Sequence, residues 1–149
     1  MTTALNRIER IRDAAKTEAA RSDWELMSKR LRAAIYLLQS ADNMVAYQAQ
    51  LDRAKAVGQK VEPNPVLGTQ SAWDRSDLME TARKEIDAAV NLKKLIESSR
   101  SRILDTAPTP AEETIQRLGP NLAELLKAKI DLMNAHWRDY DRLFTVPNP

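Results

Sequence analysis

The single histidine, His136, is the residue in this chain with the most versatile side-chain chemistry. A histidine acts as a general base or a metal ligand only when partner groups lie beside it. Asp139 follows three positions later, but position 133 is Met, so there is no Glu-x-x-His motif. Paired carboxylates at a similar spacing are absent as well, which argues against a ferritin-like di-iron site. We predict that His136 is a core or helix-interface residue.

No other motif for catalysis or cofactor binding is present. The chain has no cysteine, which excludes disulfides, thiolate metal sites and cysteine nucleophiles. Its three glycines, Gly58, Gly68 and Gly119, are too far apart to form a phosphate-binding loop. The acidic residues lack the spacing of a calcium loop. We therefore expect a non-enzymatic protein with no catalytic residues, no cofactor and no metal site.

Two clusters of basic residues are candidates for phosphate contacts. These residues are Lys29, Arg30, Arg32, Arg100 and Arg102. If the second and third helices pair antiparallel, Arg30 and Arg100 fall near the same end and form a joint patch. However, 23 basic residues face 21 acidic ones, the net charge is only +2, and the two signs are interspersed. This pattern is more typical of solvated helix faces, so nucleic-acid binding is the alternative interpretation.

The elements that position these side chains follow from the glycines and prolines. All ten of them, three Gly and seven Pro, fall in a few short zones, and the stretches between them read as helices. No run alternates with the period of a strand. The prediction is an all-α single domain, an elongated antiparallel helical bundle of four main helices plus one short helix. The predicted segments are 1–21, 22–57, 72–104, 110–118 (the short helix) and 120–145.

The first boundary has two readings. Ser22 is followed three positions later by Glu25, a pair that can cap a helix start, so the sequence favours a break near Ser22. The alternative is one continuous helix over 3–57, because no Gly or Pro interrupts that range. The irregular segment 58–71 is either a binding arm or a connector, and the sequence favours the connector.

The range 122–144 carries the strongest helical pattern, and we expect the chain to be organised around it. Two adjacent rows of mostly apolar residues step by four and three, forming a wide apolar stripe. Lys129 and His136 interrupt one of these rows. Such a stripe must pack against other helices, so Met133, Trp137 and Tyr140 are expected to be buried.

The second helix carries two apolar rows. The main seam consists of Met27, Leu31, Ala34, Leu38, Ala41 and Val45, and a flanking row consists of Leu37, Met44 and Leu51. A slim bundle has a limited interior, so some rows are expected to face a partner. Two tryptophans near helix starts and the row on the first helix are further candidates. The candidate interface residues are Trp24, Leu37, Met44, Leu51, Trp73, Leu5 and Ile8.

These observations favour a structural or protein–protein interaction subunit of a larger assembly, such as a viral particle or a multiprotein complex. Self-association or association with other assembly subunits is expected, and a membrane role is not. No signal peptide is visible, and no stretch approaches the roughly 20 apolar residues of a membrane span. The expected location is the cytoplasm or an assembled particle.

Overall fold

A computed structural model of the chain describes residues 2–56, 70–114 and 117–139, with side chains described over 3–52, 75–114 and 117–139. Most residues in this part of the chain are helical and there is no sheet, so the all-α prediction is confirmed. The helices are α1 (Thr2–Ala14), α2 (Glu18–Ala56), α3 (Gln70–Glu97) and α4 (Leu122–Ala135), with a 3-10 turn at Pro110–Glu112. The side chain of Trp73 and nearly all of the predicted irregular segment 58–71 lie outside the described residues.

The helices pack in succession, with α2 contacting α1 and α3, and α3 contacting α4. Buried Ala33, Ala89, Leu92, Ile103 and Leu126 form the main core cluster, which joins α2, α3, α4 and the segment after α3. Three of these five are larger aliphatic residues, whereas the two alanines let the helix backbones approach closely.

The break between the first two helices lies at residues 15–17, so the predicted break near Ser22 is misplaced. The backbone N–H of Ala20 donates to Thr17 Oγ1 at 3.2 Å. This contact satisfies one of the unpaired amides at the start of α2, which is the usual role of a threonine N-cap. Ser22 lies inside α2, where its position in a capping pattern has no effect on the boundary.

Helix α3 ends at Glu97, earlier than the predicted end at Leu104. Ser99 Oγ donates to the carbonyl oxygen of Leu95 at 2.6 Å, and Ser98 Oγ donates to the same oxygen at 3.2 Å. Serine side chains compete in this way for backbone acceptors, so they disfavour helix continuation. The consecutive serines therefore end α3 without a Gly or Pro.

In the described residues 110–114 and 117–118, the predicted short helix is replaced by the 3-10 turn at Pro110–Glu112. The segment is held by backbone bonds that cross it. The N–H of Ala107 donates to the Leu118 carbonyl at 2.6 Å, and the N–H of Leu118 donates to the Asp105 carbonyl at 3.1 Å. Since the N–H of Leu118 is paired across the segment, it is not available for a helical ladder over 110–118.

Helix α4 is shorter than the predicted helix over 120–145. It begins after Asn121, whose φ of 56° places it in the left-handed region that asparagine tolerates. It ends at Ala135, because the chain tightens there and the N–H of Trp137 donates to Asn134, three residues back. Leu126 is buried, whereas Met133 and Trp137 are only half-buried, so the predicted burial of the stripe holds in part. Tyr140 lies outside the described residues.

Candidate interaction surface

The most elaborate polar site in the described residues is centred on Glu85, where side chains of α2, α3 and α4 meet. Ser40 Oγ donates to Glu85 Oε1 at 2.5 Å, and Asn43 Nδ2 donates to Oε2 at 3.0 Å. The ammonium of Lys129 also donates to Oε1. The Glu85 side chain is 8% exposed, so these donors replace the water that its carboxylate loses.

Lys129 is the residue through which α4 reaches α2. Its Nζ lies 3.4 Å from Ser40 Oγ, although the backbones of the two helices make no close approach. The sequence contained a signal for this site, since Lys129 interrupts an apolar row. The pattern does not identify the partner of Lys129, because Glu85 lies on another helix, 44 positions earlier.

An open apolar groove adjoins the Glu85–Lys129 pair, between α2 and α4. Its volume is about 290 Å³, and α3 forms its floor. The residues that line this α2–α4 groove are Asn43, Met44, Tyr47, Thr81, Ala82, Glu85, Lys129 and Met133. Leu125 and Leu132 are exposed, and they lie four residues before and three residues after Lys129, on the same face of α4. Exposed leucines therefore extend the apolar surface along this edge of the groove.

The predicted main seam of α2 is mostly exposed and contributes no residue to the buried core. Leu38 is 56% exposed, Val45 is 70% exposed, and Met27 is exposed as well. The core contact is made one position away, by fully buried Ala33. We call this row the α2 ridge; it consists of exposed Met27, Leu38, Ala41 and Val45 and half-buried Leu31 and Ala34.

Helical periodicity alone does not identify which row of α2 is buried. A row of large residues and a neighbouring row centred on small residues both fit the helical period. In the fold, α3 packs on the face that contains Ala33 and Leu37. In the predicted flanking row, Leu37 and Leu51 are half-buried and Met44 is exposed.

The remaining interface candidates lie on α1 and near the start of α2. Leu5, Ile8 and Trp24 are half-buried, and α1 packs against α2. Glu9 on α1 accepts a hydrogen bond from Arg32 on α2, which anchors the two helices. Leu5 and Ile8 therefore belong in part to a contact within the chain, which leaves the α2 ridge as the larger exposed apolar surface.

The two basic clusters do meet in the fold. Arg30 Nη2 donates to the carbonyl oxygen of Arg102 at 3.5 Å. Most of these charges nevertheless have acidic neighbours. Lys29 pairs with Glu25 at 2.7 Å, and Arg102 pairs with Asp105 at 2.7 Å. The joint patch thus has little uncompensated positive charge with which to hold phosphates.

Beside the end of α3, the basic clusters adjoin a polar cleft of about 600 Å³. Acidic Glu18 and Asp23 line it together with basic Arg21, Lys29 and Arg100. The two signs are mixed within one open cleft, so it presents no consistent charge to a ligand.

The pKa of Glu25 is lowered from its ordinary value of 4.5, first by its hydrogen bond from Lys29 and then by the charges of Lys29, Arg12 and Arg100. We predict that Lys29→Met moves this pKa back toward 4.5, as measured by NMR titration of the side-chain carboxyl. Because the folded pKa is depressed, the pair stabilises the fold above pH 4.5, and this contribution is lost as the pH falls below that value.

A matched control is available on α3. Lys84 lowers the pKa of Glu80 by the same type of hydrogen bond four residues away. Lys84→Met should raise the pKa of Glu80 and leave that of Glu25 unchanged. If Glu25 instead keeps its low pKa in the Lys29→Met protein, then Arg12 and Arg100 are its main partners.

His136 is exposed, so the prediction of a core or helix-interface histidine is wrong. Its Nδ1 lies 2.7 Å from Asp139 Oδ2, at the point where α4 ends. The contact is local because the two residues are one turn apart. In the described ranges, no three His, Asp or Glu side chains come together in a way that would hold a metal ion. None of the described helices has the length and apolar character needed to cross a membrane.

The α2–α4 groove and the exposed leucines beside it present a largely apolar surface, and the Glu85–Lys129 ion pair in the groove has no net charge. Such a surface suits contact with another protein better than contact with a charged polymer. Comparisons of the chain with protein-family models, curated proteins and solved structures find no match.

Proposed function

We propose that the chain is a non-enzymatic structural or interaction subunit that associates with copies of itself within a larger assembly, in the cytoplasm or in an assembled particle such as a virion. The observation that carries this proposal is the exposed α2 ridge, with Leu38 at 56% and Val45 at 70% exposure. The row from Met27 to Val45 extends about 27 Å along the helix at 1.5 Å per residue. Contiguous apolar surface of this kind commonly marks a protein interface.

The proposal includes the shape of the subunit, an elongated antiparallel bundle. Contacts between successive helices support it, because they pair residues in opposite order along the chain. Arg30 of α2 contacts Arg102 beyond the end of α3, while Ser40 contacts Glu85, nearer the start of α3. Lys129 of α4 likewise contacts Glu85, and the Arg83 guanidinium lies over the ring of Trp137, just beyond the end of α4, with Cζ 5.7 Å from the ring centroid.

We predict that the protein forms a concentration-dependent dimer or larger oligomer, and that Leu38→Asp combined with Val45→Asp makes it monomeric. Two carboxylates on the α2 ridge would have to lose water in the interface, which opposes association. Sedimentation across a concentration series measures the effect. The control is Gln39→Asp, which adds a charge at an exposed position of the same helix outside the ridge. A wild-type chain that stays monomeric at about 100 μM would rule out self-association.

A second candidate function is nucleic-acid binding, favoured by the contact between Arg30 and Arg102. Since the neighbouring basic groups already have acidic partners, we predict no tight binding of duplex DNA near physiological salt. Fluorescence anisotropy at roughly 50 to 200 mM salt tests this, because phosphate contacts give an affinity that falls steeply over that range. Tight, salt-sensitive binding that is lost on joint replacement of Arg30, Arg32 and Arg100 would favour nucleic acid over self-association.

A further inference from the structure

Within the described residues, Lys129 has one more hydrogen-bond donor than it has partners. An ammonium group has three N–H donors. In the part of the chain that the structure describes, Glu85 Oε1 and Ser40 Oγ are its two partners. The Lys129 side chain is 36% exposed and lines the α2–α4 groove, so the third donor is available from the groove. Any partner that covers Lys129 must supply an acceptor, or a charged donor is buried unpaired.

The acceptor that fits this position best is neutral. Glu85 already balances the charge of Lys129, so the pair has no net charge. A further carboxylate would leave one uncompensated negative charge in a partly desolvated site, whereas an amide oxygen would complete the hydrogen bonding without added charge. The groove therefore suits an apolar surface that carries a neutral acceptor, such as the amide oxygen of Asn or Gln.

The chain itself presents such a surface. Gln48 follows Val45 by three residues and continues the heptad spacing of the α2 ridge. Its Nε2 donates to Asp52 Oδ1 at 2.8 Å, which fixes the amide. Its Oε1 has no partner among the described residues. As far as the described residues show, a neutral acceptor without a partner follows the α2 ridge, and the α2–α4 groove contains a donor without one.

The ridge and the groove also lie on neighbouring faces of α2. Met44 lines the groove and Val45 belongs to the ridge, so consecutive residues separate the two surfaces by about 100° around the helix. Two copies that face each other can each place the ridge in the groove of the other. This arrangement is isologous, as a two-fold symmetric dimer requires.

We propose that the occupant of the α2–α4 groove is the α2 ridge of a second copy of this chain, and that Gln48 of that copy accepts a hydrogen bond from Lys129. The proposal rests on the self-association proposed above and adds the residues that fix its register. Gln48 and Lys129 are the specificity-determining pair, and the apolar side chains provide the buried area.

Sedimentation equilibrium of Gln48→Leu tests the pair. Gln48 is exposed on α2, so its replacement leaves the folded monomer intact. The substitution should raise the dimer Kd about tenfold, because it leaves the Lys129 donor unpaired in the interface. The matched control is Gln39→Leu, which makes the same replacement off the ridge and should leave the Kd unchanged.

Repeating the substitution in a protein that lacks the Glu85–Lys129 ion pair makes the test specific. In Glu85→Leu/Lys129→Met, the ion pair is replaced by apolar side chains, a change that folded proteins commonly tolerate. Circular dichroism verifies that this protein is folded. There, Gln48→Leu should leave the Kd unchanged or lower it, because no donor remains to be satisfied.

The outcomes separate the two proposals. An equal weakening by Gln48→Leu in both backgrounds, or no weakening in either, means that Gln48 does not meet Lys129, while self-association stands. An equal rise in the dimer Kd for Gln39→Leu would likewise mean that Gln48 does not meet Lys129. If the wild-type chain is monomeric throughout the series, self-association itself is wrong, and the pairing falls with it.

Discussion

Lys129→Met is expected to lower the free energy of unfolding by roughly 3 kcal/mol, measured by urea denaturation at a concentration where the chain is monomeric. The reason is the partner that remains. Glu85 has a side chain only 8% exposed, and after the substitution it keeps only the neutral donors Ser40 and Asn43. Removing one member of a buried ion pair leaves a charge that has lost both its water and its counter-ion.

The control for this prediction is Lys127→Met on the same helix. Lys127 pairs with Asp131, and the pair is exposed, so both groups return to water when it is broken. Lys127→Met should lower the free energy of unfolding much less than Lys129→Met does. Equal losses would show that α4 responds to the removal of any lysine, and that the Glu85 cluster has no special stabilising role.

A double variant separates the effect of the charges from that of the packing around Glu85. Glu85→Leu/Lys129→Met removes both charges, so no unpaired carboxylate remains in the interior. The double variant is therefore expected to be more stable than Lys129→Met alone. If it is less stable, the packing and hydrogen bonds of Ser40 and Asn43 around Glu85 contribute more than the charge.

The sequence predicts the helical class of this fold because helices depend on local patterns. Zones containing Gly and Pro lie between α2 and α3 and between α3 and α4, whereas the break between α1 and α2 at residues 15–17 contains neither. Helix boundaries that depend on side-chain hydrogen bonds are harder to predict from the sequence. Thr17 starts α2 and Ser99 ends α3 through single contacts whose formation depends on the local backbone. Both residue types are common in helices and in loops, so neither is decisive in a sequence.

The interaction surface was harder to predict than the helices. Periodicity identifies the rows of α2 but not the row that α3 covers, and small residues such as Ala33 attract a neighbouring helix by permitting close approach. The site at Glu85 requires residues from three helices, separated by more than 40 positions. A single sequence contains no information that pairs residues so far apart. The visible sign was the charge of Lys129 within an apolar row, which predicts a partner without identifying it.

The second large effect is expected from Leu92→Ala, which should lower the free energy of unfolding by about 3 kcal/mol. Leu92 is 3% exposed and belongs to the core cluster with Ala33, Ile103 and Leu126, so its truncation leaves a cavity where α2, α3 and α4 meet. Urea denaturation of the monomer measures the loss. The matched control is Leu125→Ala, since Leu125 is 54% exposed beside buried Leu126.

Together the two leucines distinguish stability from association. Leu125→Ala should change the free energy of unfolding of the monomer little, because the side chain already contacts water. If α4 borders the self-association surface, the same substitution should weaken the dimer, whereas Leu92→Ala should weaken it only through loss of folded protein. A stability loss from Leu125→Ala as large as that from Leu92→Ala would mean that Leu125 is buried in the monomer, contrary to its exposed position on α4.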